Sequence, residues 1–300
     1  MPHRDPTALA PRPKHATKQT LAADLAAPRW LKVTFAALER VAPRGGGVLA
    51  ASLFTTPRRH RTPDWERALR ASSRQVTFAG ELNAAEFGPA DGAPVVLLHG
   101  WEGRGTQLGR LGEPLIAAGH RVIALDGPAH GGSKGKRANP IAFAEALLAV
   151  QREVGAFHAV IAHSMGAAST GIAIRRGLRV RRVALLGGPA SLPEVLDRFI
   201  RVVGIEPRVA RHLRELLREQ TGSHPDEVDV RLSGPHMTVP ALVIHDVRDA
   251  EVPVSDGHVV AAFWRGARLI EVDVGGHRRM LKSPEVIDAV TRFVTGFDRP

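Results

Sequence analysis

The sequence predicts an α/β fold: a mainly parallel sheet flanked by helices, with a helical cap inserted between late strands. Three observations predict it. From residue 75 onward, short apolar runs alternate with helix-forming stretches. Some of these runs, Pro94–His99 above all, are continuously apolar, as strands buried on both faces are. Where the next strand is due, at about 188–239, amphipathic helices stand instead.

The elements follow in order. Residues 1–28 read as a disordered or weakly ordered tail. Trp30, Val33, Phe35, Ala36, Leu38 and Val41 mark a short amphipathic helix, which Gly45-Gly46-Gly47 is expected to break. Val48–Phe54 reads as a second helix and Pro57–Pro63 as a basic linker. Both helices are expected to pack against the main domain, or to act as an interfacial membrane anchor. Gln75–Phe78 and Leu82–Phe87 form a strand pair around Gly80. Strands are expected at Pro94–His99, Arg121–Leu125, Ala159–His163, Arg182–Leu186, Ala241–His245 and Arg268–Val274. Helices are expected at Gln107–Ala118, Ile141–Val154, Met165–Arg175, Gly257–Trp264 and Pro284–Phe297. In the cap, Leu192, Val195, Leu196, Phe199, Ile200 and Val203 share one helical face. Val209, Leu213, Leu216 and Leu217 form another, opposite four arginines. The division is an N-terminal extension over 1–74 and a main domain over 75–300, with its cap at about 188–239.

Composition narrows the class. The chain has 300 residues, 44% of them hydrophobic, and no cysteine, so disulfides and thiolate metal sites are excluded. No run approaches the about 20 apolar residues of a membrane span, and the first thirty residues lack a secretory pattern. A cytoplasmic protein is expected. The net charge of +11 is concentrated in residues 1–74, which hold 14 Lys/Arg against 5 Asp/Glu. Such a prefix can attract anionic membrane or nucleic acid; it reads first as a solvated or intramolecular extension, with peripheral contact to an anionic membrane as the alternative. No signature of specific nucleic-acid binding accompanies it. Gly131–Arg137 lacks the spacing of a phosphate loop, and no His-Glu-x-x-His zinc motif occurs.

Ligands of open α/β sheets bind beyond the carboxyl ends of the strands. The run Val160–Ala167 places Ser164 there, between Ala162 and Gly166, at a junction of strand and helix. Small residues at those positions permit the sharp turn that exposes a nucleophilic hydroxyl. A serine needs a base, and the base needs an orienting acid. His277 follows Gly275-Gly276, a turn able to set an imidazole over the sheet end. Asp249 and Asp246 compete for the acid role, and Asp249 is preferred because Asp246 directly follows its strand. The rival reading of Ser164 is a helix N-cap, and that of His277 a loop histidine. Asp126, His99, His130 and His163 read as buried framework. Glu102 and Arg104 read as a loop ion pair or as substrate contacts.

Residues 75–297 resemble the α/β-hydrolase superfamily. The likeness rests on His99-Gly100-Trp101, Asp126–Ser133, Ala162-His163-Ser164-Met165-Gly166, His245–Pro253 and Gly276-His277, in that order. Ala162 departs from the glycine usual at the first position of the elbow. The resemblance implies that Ser164 attacks an acyl carbonyl, with His277 as base and Asp249 as its orienting acid. It implies an oxyanion hole from the backbone N–H groups of Met165 and Trp101, with Trp101 also walling the substrate pocket. The expected substrate is a carboxylic ester with a small or medium acyl group, with water resolving the acyl-enzyme and no metal or cofactor required. Thioesterase, lactonase and acyltransferase chemistry fit the same residues, as does a catalytically silent binding role.

Overall fold

A computed structural model describes residues 27–223 and 225–296. The tail expected over residues 1–28 therefore lies, but for its last two residues, outside the described part. Three helices come first: α1 (Arg29–Val41), α2 (Pro43–Thr55) and α3 (Asp64–Ala71). β1 (Arg74–Phe78) and β2 (Leu82–Phe87) form an antiparallel hairpin. Then come β3 (Pro94–Leu98), a 3₁₀ turn at Gly105–Leu108 leading into α4 (Gly109–Ala117), β4 (Arg121–Leu125), α5 (Pro140–Val154), β5 (Phe157–His163), α6 (Met165–Arg175) and β6 (Val180–Leu186). The insertion is α7 (Leu192–Val203), α8 (Pro207–Thr221) and the short α9 (Pro225–Val228) and α10 (Val230–Ser233). β7 (Ala241–Asp246), α11 (Val254–Phe263), β8 (Ala267–Val272) and α12 (Pro284–Thr295) complete the chain.

The strands make one sheet of eight in the order β1-β2-β4-β3-β5-β6-β7-β8. Only the pairings of β2 with β1 and β4 are antiparallel. β3 has its sequence neighbour β4 on one side and β5 on the other. The loops leaving β3 and β5 therefore diverge from a switch point, where a crevice opens at the carboxyl ends. Alternation along the strands feeds two cores: Val96 and Leu98 face one cluster, Val95 and Leu97 the other.

A third apolar cluster lies away from the sheet and specifies where the N-terminal helices pack. Phe35 of α1 and Ala50 and Ala51 of α2 pack with Ile200, Val203, Val209 and Leu213 of α7 and α8. α1 and α2 thus pack on the cap, the part of the main domain inserted after β6. The glycines are placed differently from the expectation. Gly45–Gly47 lie inside α2, and the break falls at Ala42, before Pro43. Proline cannot donate an N–H and pushes the preceding residue out of the helical region. A Cβ on Gly46 would stand 2.7 Å from Val209 Cγ2, and one on Gly47 2.7 Å from His212 Cβ. These glycines let α2 lie directly on α8. The sequence reading passed over α3; the acidic Asp64 and Glu66 after Pro63 were its helix-start signal.

Candidate active site

β5 is buried along nearly its whole length and ends at His163. Ser164 then takes φ 54°, ψ −122° before α6 begins. Such a conformation costs a non-glycine residue about 1–3 kcal/mol. Neighbours hold it: the Ser164 N–H donates to Leu186 O at 2.8 Å, and Ser164 O accepts from Ala167 N at 2.9 Å. Gly166 is required, since a Cβ there would meet His99 O at 2.5 Å. Ser164 and Met165 stay half-buried at the N-terminus of α6, where backbone N–H groups lack helical partners.

The turn after β8 takes Gly275 and Gly276 through φ of 101° and 102°, and delivers His277. His277 Nδ1–H donates to Asp249 Oδ2 at 2.6 Å. The other Asp249 oxygen accepts from the N–H groups of Glu251 at 2.9 Å and Val252 at 2.8 Å. Both side chains are buried. Asp246 instead accepts from Arg248 N at 2.7 Å and Val274 N at 2.8 Å. Burial alone would raise its pKa, but these and the Gly275 and Gly276 N–H groups outweigh that and hold it below the ordinary value. Asp246 is thus occupied in shaping the turn, and Asp249 meets the imidazole. Among the described residues no hydrogen bond joins the Ser164 hydroxyl to His277, and Glu251 Oε2 lies 3.9 Å from His277 Nε2.

Buried histidines brace the site. His163 Nε2–H donates to His277 O at 3.0 Å, and the two rings lie 4.4 Å apart. Burial, with His277 beside it, drives the His163 pKa well below its usual value. His99 accepts the Gly127 N–H on Nε2 at 2.9 Å, which leaves Nδ1–H to donate to Gly100 O at 2.6 Å. Its burial lowers the pKa to about 4, so it stands neutral. His130 Nε2 accepts the Glu102 N–H at 3.0 Å, tying together the loops after β3 and β4. His245, which sequence reasoning did not single out, is wholly buried with Nε2 3.6 Å from Asp249 Oδ2.

The remaining expected residues fall into place around this frame. Gly100 abuts the elbow, since a Cβ on it would stand 2.7 Å from Ser164 Cβ. Trp101 is half-buried, its ring edge-on to His130 at 5.4 Å. Asp126 is buried and accepts from Gly105 N, Gly132 N and Arg70. Glu102 and Arg104 do not pair with one another. Glu102 pairs with Arg58 and His60, while Arg104 grips both oxygens of buried Glu66 at 2.6 and 2.8 Å. An apolar crevice of about 40 Å³ separates α6 from the cap, with Ala167, Gly188, Leu192 and Val230 on its walls. Among the described residues no group of three or more His, Asp or Glu side chains is arranged to hold a metal ion, and no helix is long and apolar enough to cross a membrane.

Solved structures share this architecture. An esterase from Exiguobacterium antarcticum superposes with a TM-score of 0.56 at 15% identity, covering 74% of this chain and 99% of that one. Naproxen esterase from Bacillus subtilis gives 0.55 at 18%, covering 77% and 94%. A bacterial membrane phospholipase A gives 0.61 at 20%, covering 89% and 96%. At these identities the likeness is one of fold. A serine hydrolase-like protein of Danio rerio is 33% identical over 148 residues, a match spanning 47% of this chain and 45% of that protein. Residues 95–290 match the model of the alpha/beta hydrolase family. With sheet order, elbow and loop sequence in agreement over two-thirds of its length, the chain belongs to the alpha/beta hydrolase family.

Proposed function

We propose that the protein is a serine carboxylic ester hydrolase acting through an acyl-enzyme on Ser164. The observation that carries this reading is a strained elbow serine at the same sheet end as a buried, hydrogen-bonded His277–Asp249 pair. Because Nδ1–H is committed to Asp249, Nε2 is the free acceptor of the neutral ring. Rotation of the Ser164 hydroxyl and adjustment of the turn at 275–277 bring Oγ to Nε2; such contacts commonly tighten only when substrate binds. Oγ then attacks the acyl carbonyl as Nε2 takes its proton. Asp249 stabilises the imidazolium. The N–H groups of Met165 and Trp101 receive the oxyanion, and each such donor is worth about 100- to 1000-fold in rate. Nε2–H protonates the leaving alcohol, and water resolves the ester by the reverse sequence.

Ser164→Ala tests this directly. Turnover of short aryl esters should fall by about a million-fold, and a fluorophosphonate probe should label the wild type at Ser164 alone. Activity within a few-fold of wild type would end the proposal, and an unlabelled Ser164 would favour the silent scaffold. Thioesters, lactones and alternative acyl acceptors in the same panel separate the related chemistries, which the fold does not choose between.

A second reading has its own observation. α1 carries two apolar faces. Phe35 looks into the cap, while Trp30, Val33 and Val41 lie on an outward stripe, 67%, 68% and 80% exposed. Arg29 and Arg40 of the same helix lie at the edge of that stripe. Aromatic and aliphatic side chains bordered by cations suit the surface of an anionic bilayer. The test is sedimentation with phosphatidylserine-containing vesicles. Wild type should co-sediment and a Trp30→Glu, Val33→Glu variant should not; equal partitioning removes the reading.

A further inference from the structure

The basic stretch 57–63 has no part in the chemistry above, yet it lies across the loops that leave β3 and β4. There it helps to wall a cavity of about 370 Å³, into which Arg58, Arg59, Arg70 and Arg104 converge around Glu102 and His60. The carboxylates nearby are already engaged. Arg104 is held by both oxygens of buried Glu66, and Arg70 by buried Asp126. These pairs fix two guanidinium groups in place without leaving a free acid opposite them. Glu102 takes the Arg58 backbone N–H and Nε–H on one oxygen and meets His60 with the other. Four arginines thus stand against Glu66, Asp126 and Glu102, an excess of positive charge even with His60 neutral. Neither terminal nitrogen of Arg58, nor any part of the Arg59 guanidinium, makes a hydrogen bond among the described residues. A guanidinium offers five N–H donors in a fixed fork suited to oxyanions, so donors remain at the cavity mouth.

The cavity also borders the reacting centre. Gly100 touches the elbow, and its carbonyl accepts the Gly103 N–H at 3.1 Å, closing a turn. Trp101 and Glu102 are the central residues of that turn. Trp101 carries the N–H assigned to the oxyanion, and Glu102, at φ 56°, belongs with Gly103 to the cavity wall. A single turn, less than about 7 Å across, separates the two.

We propose that this cavity binds an oxyanionic group of the substrate, a carboxylate or a phosphate, carried a short chain away from the ester cleaved at Ser164. The proposal rests on the reading of Ser164 as nucleophile, and its test separates the two. Aryl hemiesters of dicarboxylic acids of increasing length are compared with their methyl-capped, neutral counterparts. The wild type should prefer the hemiester of optimal length by about 10- to 100-fold in kcat/KM, the worth of a charge-assisted hydrogen bond. The preference should shrink as salt rises. Arg59→Gln and Arg58→Gln should lose it while hydrolysing the neutral esters as wild type does. Calorimetric titration with inorganic phosphate, and separately with methyl succinate, distinguishes the two anions and needs no turnover. Binding in wild type that Arg59→Gln loses upholds the cavity even if every ester proves inert, an outcome that would sink the hydrolase reading instead. Equal kcat/KM for charged and neutral esters, or neither anion binding to the wild type, overturns the cavity assignment.

Discussion

The sheet and the cap are both built on apolar cores, but they are assembled differently. Through most of the parallel part of the sheet, strands alternate with the helices that cover them, and the clusters on the two faces take their residues from successive units. The cap core instead joins Phe35 and Ala50, which precede the sheet, to Val209 and Leu213, which follow β6. The polar contacts repeat this pattern. The Glu39 carboxylate of α1 accepts the N–H groups of Arg208 at 3.0 Å and Val209 at 2.9 Å, satisfying free donors at the start of α8. α1 and α2 therefore complete the cap, and removing them would strip its core of a third of its buried residues. A helical period reveals that a face is buried, but not what buries it.

This contrast can be broken most sharply at the chemistry, which should belong to the sheet alone. Asp249→Asn is expected to lower turnover of a small aryl ester by about 10⁴-fold with the fold intact. Asp246→Asn, which disturbs only the turn, should cost far less turnover; steady-state kinetics beside circular dichroism checks both. Next in size is an effect of acid on the body. His99 is neutral in the fold, with its pKa lowered by burial to about 4, whereas the unfolded ring titrates at its ordinary value of 6.5. Between those values the unfolded chain binds a proton that the native state refuses. Stability should therefore fall as pH drops from about 6.5 to about 4, by up to about 3 kcal/mol from this group, with His163 acting in the same direction. Urea midpoints at pH 7, 5.5 and 4.5 read this out, and a flat profile would contradict it.

The cap variants are expected to be milder. Gly47→Val drives a side chain into His212 and should cost about 1–3 kcal/mol by overpacking. The loss should show in hydrogen exchange of α2 and α8 while the strands keep their protection. Glu39→Ala uncaps α8 and should cost about 0.5–2 kcal/mol, with turnover of small esters unchanged. Equal loss of protection in β5 and α8 for either variant would mean that the sheet and the cap unfold as one unit.

The sheet side was legible because its signals are local. The strand beginning at Arg121 and the helix Met165–Arg175 match their expected bounds, since apolar runs and a small-residue turn mark them without reference to the rest of the chain. The elbow at Ser164 and the neighbours Asp249 and His277 each sit at the end of their own strand, so order along the chain suffices to nominate them. Ionic pairing was not legible. Arg104 and Glu102 stand two residues apart, yet one turns to Glu66 and the other to Arg58 and His60. Nothing in their spacing reports that the 57–63 stretch and α3 would lie across that loop. Gly45–Gly47 misled for a related reason: glycine weakens a helix in isolation by about 1 kcal/mol, and only a neighbour at close approach makes its lack of a side chain an advantage.

By itself, then, the order of residues determined the alternation of strands and helices, the sharp turn at Ser164 and the choice of residues that reach the carboxyl edge of the sheet. These depend on backbone stereochemistry and on the period of apolar positions, both set by neighbours a few residues apart. The tertiary structure alone decided that the first two helices complete the cap, that Glu102 and Arg104 turn to different partners, and that arginines from three segments converge beside the loop leaving β3. Those outcomes depend on contacts between parts of the chain far apart in sequence, where close packing and the pairing of buried charges select one arrangement among many that local pattern allows.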